Sequence, residues 1–249
     1  MSRIRVELVV HAWAEQFPHY ASALTYLLSS LVIHRPSDAD VSVSLCCTPV
    51  DLLVMDVAKY FAKRQGIELT VYAQDIYLLG RRCIGRNVAA KRTDADLVWF
   101  TDVDHVFGEG CIDTLVNMGW LPNVVMKYPN LIQIHKDHAT GDMALEIANG
   151  SPCLLEVDPS AFVDKKYDRA IGGVQIVRGD FAHRHGYLDG DTTWQKARTD
   201  GKPFKDFRDD IAYREFCLER GVVEPIELPN LFRIRHSETT YQGKIISSE

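Results

Sequence analysis

Apolar residues follow two alternating rhythms along the first hundred positions of this chain. Arg3 to Val10 is a short run of β-formers, and Ala21 to Ile33 then sets Leu24, Leu27, Leu28 and Leu31 at helical spacing. His34 to Asp40 is a polar break, followed by a second strand over Val41 to Cys47. Thr48-Pro49-Val50-Asp51 reads as a helix start, with Thr48 as N-cap, proline in the first turn and an acid at N3. Val50, Leu53, Val54, Val57 and Phe61 are expected to supply its buried face, Gly66 to stop it, and Ile67 to Tyr72 to form a third strand. Two strand-helix-strand passes in succession predict a parallel sheet with helices packed on it, an α/β fold.

After a polar segment around Asp75 to Arg82, Gly85-Arg86-Asn87 opens a predicted helix through Lys91, and the apolar strand Leu97 to Phe100 ends in Thr101-Asp102-Val103-Asp104. Beyond this point the alternation loosens. Val124 to Met126, Leu131 to Ile134 and Leu154 to Val157 read as strands, with Met143 to Ala148 helical between the last two. Gly172 to Val177 is a strand led by two glycines, Asp180 to His185 a short helix, and Asp189 to Phe207 a polar loop. Asp209 to Arg220 is helical and capped by Gly221, and Phe232 to Arg235 is a last strand. No repeat, low-complexity tract or linker divides the chain, so 1–249 is expected to be a single domain.

Composition narrows the picture. With 46% apolar and 25% charged residues over 249 positions, the chain has material for a sizeable core, which excludes disorder and fibre. No apolar run approaches the roughly 18 residues of a membrane span, and the amino terminus lacks a signal sequence, so the expected location is cytoplasmic, with no membrane anchor. Lys plus Arg (28) against Asp plus Glu (34) gives a net charge of −6, which does not announce a broad nucleic-acid surface. The six cysteines contain no CxxC pair and are expected to be reduced core thiols.

The chemistry starts at Asp102-Val103-Asp104. Alternate positions just past the carboxyl end of a strand can present two hard oxygen ligands to a divalent cation, at the edge where open α/β sheets bind ligands. Mn²⁺ or Mg²⁺ held by few carboxylates completes its shell with water and nucleotide phosphates, which points to a nucleoside-diphosphate substrate. Two aspartates in a polar loop are also ordinary turn formers. Arg86 at a helix start would offer a permanent cation where free N–H groups favour phosphate. Gly172-Gly173 would let backbone approach a ligand, or merely turn tightly, and Asp209-Asp210 would suit a helix dipole even without chemistry. His135, His138 and Asp142 show no fourth zinc ligand and read as solvated polar residues, and His183 and His185 as an ordinary helix-terminal pair.

Taken in order, Gly-Arg-Asn, the apolar strand, Thr-Asp-Val-Asp, Gly-Gly-Val-Gln-Ile-Val, an acidic pair followed by Tyr213 and Arg214, and a late His236 resemble the GT-A glycosyltransferases, particularly the inverting family-2-like group. The resemblance spans nearly the whole chain. It implies a Rossmann-like nucleotide-binding half, 1–104, merged with an acceptor-binding half, 105–249. It also implies that Asp102 meets the ribose and the metal's water shell, that Asp104 and His236 ligate Mn²⁺ or Mg²⁺, and that Arg86 faces the diphosphate or uridine. Gly172 and Gly173 would line the donor sugar, and Asp210, with Asp209 as the other member of the pair, would be the catalytic base. The family's acidic base-binding residue after the second strand is replaced here by Cys46-Cys47-Thr48-Pro49, so uracil recognition either differs or rests on Asp75 further on. Trp194 lies where the family places acceptor contacts, and reads otherwise as an aromatic anchor for its loop. The expected partners are a nucleotide-sugar donor, with a UDP-sugar favoured, and a hydroxyl acceptor on a glycan, small molecule, protein or modified DNA base. Basic spots at Arg81-Arg82, Lys165-Lys166 and Lys202-Lys205 keep a hydroxylated DNA base open as acceptor. A nucleotidyltransferase and a non-catalytic sugar-nucleotide-binding protein are the alternatives outside this class.

Overall fold

The structure is a computed structural model that describes residues 3–15, 19–64, 66–136, 152–197 and 208–234. Its first hundred residues follow the two rhythms closely. Strands β1 (Ile4–His11), β2 (Ala39–Cys47) and β3 (Glu68–Ala73) pair in parallel and are joined by helices α1 (His19–Ile33) and α2 (Leu52–Phe61). Helices α3 (Ile76–Leu79) and α4 (Arg82–Arg92) lead to β4 (Leu97–Thr101), which returns to the other side of β1. That reversal puts the sheet's switch point between β1 and β4, where a crevice opens beyond the strand ends.

The second half completes the same sheet. β6 (Val124–Pro129), β9 (Val174–Arg178) and β10 (Val222–Ile226) extend it in the order β10-β6-β9-β4-β1-β2-β3, with β9 antiparallel to both its neighbours. A smaller sheet, β5-β11-β7-β8, is built from β5 (His105–Phe107), β7 (Leu131–His135), β8 (Phe162–Lys166) and β11 (Leu231–Arg233). Helices α5 (Cys111–Asn117), α6 (Gly179–His185) and α7 (Asp209–Leu218) complete the elements used below. Strand alternation divides the core between the two faces of the large sheet. Val6, Leu8, Val10 and Trp99 pack with Leu24, Leu28, Val54 and Phe61 of α1 and α2, whereas Val9, Val98 and Phe100 pack with Ala89, Phe181 and Tyr213 of α4, α6 and α7.

Several local expectations are corrected. The N-cap of α2 is Asp51, not Thr48: its carboxylate accepts the Val54 N–H at 3.1 Å and also those of Ala14 (2.6 Å) and Glu15 (3.1 Å), tying the exit of β1 to the start of α2. The later start turns Val50 and Leu53 outward, 70% and 44% exposed, and leaves Val54, Val57 and Phe61 buried. Helix α4 starts at Arg82, so Gly85 and Arg86 lie inside it rather than at its mouth. Gly85 is there because α4 crosses the strand ends closely: a Cβ would overlap the His11 ring and stand 2.8 Å from Cys46 Sγ. Leu154 to Val157 forms no strand and is pinned to α1 instead, with Leu155 N–H donating to Ser29 Oγ at 2.9 Å. Five cysteines are buried, Cys153 is exposed, and all six are free thiols. Met143 to Ala148, His138, Asp142, His236 and the loop from Arg198 to Phe207 lie outside the described residues.

Candidate active site

Four segments converge beyond the carboxyl end of β4. Asp102 and Asp104 follow the strand directly, and the antiparallel pairing of Val174 with Thr101 brings Gly172 and Gly173 to the same edge. Arg82 and Arg86 reach in from α4, one helical turn apart, and Asp209 and Asp210 open α7. Arg82 Nη1 donates to Asp102 Oδ1 at 2.7 Å, while Arg86 Nη2 lies 3.4 Å from the same oxygen. Asp209 is 3.9 Å from Arg82 and 3.6 Å from Arg86. From the small sheet, Arg233 Nε meets Asp104 Oδ2 at 2.9 Å, and its Nη2 is 4.0 Å from Asp102 Oδ2.

Three carboxylates thus face three guanidiniums, and the fourth carboxylate stands apart. Among the described residues Asp210 makes no ion pair, and burial together with the neighbouring Asp209 charge pushes its carboxyl above the ordinary range. Burial pushes Asp102 the same way, but Arg82, Arg86 and Arg233 outweigh it and hold that carboxyl well below the usual range. His11 and His105 are both driven toward the neutral form, mainly by burial. The glycine loop packs closely against these groups. A Cβ on Gly173 would overlap the His105 ring and lie 2.9 Å from Asp102 Oδ2; one on Gly172 would lie 3.4 Å from Arg82 Nη2 and 3.5 Å from Asp210 Oδ2.

The structure therefore gathers Asp102, Asp104, Gly172, Gly173, Asp209 and Asp210. Arg86 is present but completely buried, donating to the Tyr187 hydroxyl and the Gly172 carbonyl, so it stands behind the site and Arg82, with its side chain 15% exposed, is the more open cation. Asp75 is exposed and caps α3, accepting the Tyr77 N–H at 2.9 Å. Trp194 is half-buried against α4, with its carbonyl 2.8 Å from Cys83 Sγ and the Arg81 guanidinium 6.0 Å from its ring. The sequence reading noted Arg82 only as part of a basic spot and Gln175 only within the Gly-Gly-Val-Gln-Ile-Val run, and gave no site role to these two or to Arg233 and Tyr187. Only Arg82 carried a local signal, its i,i+4 spacing from Arg86, which a helix placed to begin at 82 would have exposed.

As for a divalent cation, Asp102 and Asp104 are the hard oxygen donors such an ion takes, and in this structure Arg82, Arg86 and Arg233 occupy them. Among the described residues no three His, Cys, Asp or Glu side chains form a metal cage.

Solved structures resemble the fold of this chain over most of its length. Staphylococcus aureus TarS, residues 1–349, aligns at a TM-score of 0.52 with 12% identity, covering 96% of this chain and 62% of that one. The same protein with UDP-GlcNAc aligns at 0.53 with 11% identity over 98% and 62%, and with UDP at 0.51 with 15% identity over 96% and 63%. The fold is GT-A. This chain spans 62% of the length of the TarS structure. No protein-family model matches it, and no curated protein matches it in sequence.

Proposed function

We propose that this chain is a glycosyltransferase that moves a sugar from a nucleoside-diphosphate donor, a UDP-sugar in our reading, to a hydroxyl acceptor with inversion. The observation that carries this reading is the unlike environment of two adjacent acids. Asp209 pairs with Arg82 and Arg86, while Asp210 lies against the Gly172 loop, makes no ion pair among the described residues, and has its affinity for protons raised by burial and the Asp209 charge against the weaker opposing pull of Arg82 and Arg86. A carboxylate so placed suits proton abstraction from an acceptor hydroxyl. The donor class is supported by the fold shared with TarS, a protein whose structures include complexes with UDP-GlcNAc and UDP.

In this reading the donor diphosphate lies over the β4 end and its sugar against Gly172 and Gly173. Asp210 takes the acceptor proton as the acceptor oxygen attacks the anomeric carbon from the face opposite the diphosphate. The bond to the diphosphate breaks, and the nucleoside diphosphate leaves with its electron pair. Arg82 and Arg233 supply fixed positive charge beside the leaving group. Asp102 and Asp104, with His236, would hold Mn²⁺ or Mg²⁺, which when bound neutralises charge on a leaving diphosphate.

The test is a panel of nucleotide sugars with sugar and small-molecule alcohols, assayed in manganese and in EDTA for UDP release and for the linkage formed. Acceptor-dependent UDP release with an inverted product supports the proposal. Pyrophosphate release from a nucleoside triphosphate would replace it with nucleotidyl transfer.

A further inference from the structure

One guanidinium stands behind both Asp210 and the glycine loop, which approach each other closely: a Cβ on Gly172 would lie 3.5 Å from Asp210 Oδ2. On one side, Arg86 Nη2 donates to the Gly172 carbonyl at 2.7 Å. On the other, Arg86 Nη1 donates to the Tyr187 hydroxyl at 2.9 Å, that hydroxyl donates to Gln175 Oε1 at 2.9 Å, and Gln175 Nε2 donates to the main-chain carbonyl of Asp210 at 2.8 Å. Arg86, Tyr187 and Gln175 are all fully buried, and of the Arg86 donors Nε alone makes no hydrogen bond among the described residues. The Tyr187 ring is locked in place by stacking on Tyr213 at 3.9 Å and by the edge of Phe100 at 4.8 Å. Helix α7 begins without a side-chain cap, so the Gln175 bond fastens its first turn to the sheet.

We propose that Arg86, Tyr187 and Gln175 are positioning residues, a relay that fixes the separation between the Asp210 carboxylate and the Gly172-Gly173 loop and so aligns the proton-accepting group with the donor sugar. Its effect on turnover rests on the glycosyl-transfer reading; the separation itself does not. The physical basis is that all three residues are buried behind the site, where Arg86 also meets Asp102 and Asp209, and that Asp210 and the glycine loop are both tied to this one planar group, whose donors diverge in fixed directions. A loosened relay lets Asp210 drift and admits water, which lowers the fraction of complexes in a reactive geometry.

The test uses the full chain. Tyr187→Phe removes one hydroxyl and keeps the stacked ring, and Gln175→Met removes both amide bonds at similar volume, so neither strips a buried charge. Each should lower kcat roughly ten-fold or more while donor KM and UDP affinity by calorimetry stay within about two-fold. The double variant should be no worse than the poorer single one, because both cut the same relay. A second readout follows the Asp210 carboxyl by ¹³C NMR across pH. The groups facing it are Asp209, Arg82, Arg86 and Tyr187, and Tyr187→Phe changes no charge among them in the range where a carboxyl titrates. Its titration should move down toward the ordinary carboxylate range as water enters. An unchanged titration with unchanged kcat overturns the relay, as does a kcat loss matched by lost UDP affinity. If the wild-type chain transfers no sugar, the glycosyl-transfer reading falls, and the Asp210 titration alone decides the relay.

Discussion

Asp209 and Asp210 are separated by one peptide bond and about 100° of helix, and this rotation gives them opposite surroundings. Asp209 points into the arginines and Asp210 toward the glycine loop. Asp210→Asn preserves shape but cannot accept a proton, so sugar transfer should fall roughly 10²–10⁴-fold with UDP affinity retained, as steady-state kinetics and calorimetry would show. Asp209→Asn should behave differently. It leaves buried guanidiniums short of counter-charge, and breaking such a pairing costs about 3–5 kcal/mol, so its signature is an earlier urea midpoint, with a smaller direct effect on chemistry. Near-normal turnover in the Asp210 variant would remove it as the base.

Among elements, α4 has the tightest constraints, because it must pass over the ends of β1 and β2 to deliver Arg82 and Arg86. Gly85 permits that approach, and Gly85→Ala should destabilise the chain by about 1–3 kcal/mol through overpacking on His11 and Cys46, measurable as a lowered Tm. His11 makes the same crossing sensitive to acid. Burial, with the Arg86 and Arg82 charges, holds its folded-state pKa well below the ordinary 6.5, so the unfolded chain binds the proton more readily. The stability this contributes is complete above pH 6.5 and is lost as pH falls toward the depressed value. Wild type should therefore lose urea stability between pH 7.5 and 5 more steeply than His11→Gln. Equal slopes would mean that His11 is not held neutral.

At the scale of the molecule, the main sheet draws strands from both sides of residue 104, so the β4 end, the glycine loop and the acid pair belong to one framework. Donor binding at that edge should therefore stabilise the whole chain. UDP with Mn²⁺ should raise Tm, since a ligand at about 100 times its Kd adds roughly 2.7 kcal/mol. EDTA should cancel the gain. Asp104→Ala should make UDP binding indifferent to metal, and His236→Ala should weaken the manganese-dependent part without unfolding the chain. Equal UDP affinity in EDTA and manganese would leave Arg82 and Arg233 as the charge partners of the diphosphate.

What the sequence determined by itself was whatever repeats over short distances. The apolar periods of β1, α1, β2 and β4, the Asp-Val-Asp following an apolar strand, and the acid pair at a helix start can all be read within a dozen residues, because each depends on a local alternation or on the chemistry of a terminus. The short strands β5, β8 and β10 were not legible: Phe162 to Lys166 carries three charged residues, Val222 to Ile226 contains a proline, and His105 to Phe107 is too short to show a period. Tertiary structure alone decided which charges meet. Arg233 lies 129 positions from Asp104, Tyr187 lies 101 from Arg86, and no local pattern encodes pairings across such distances. It also moved Arg86 from the expected phosphate contact to the buried hub behind the site, because beginning α4 at Arg82 turns that side chain inward and leaves the open position to Arg82.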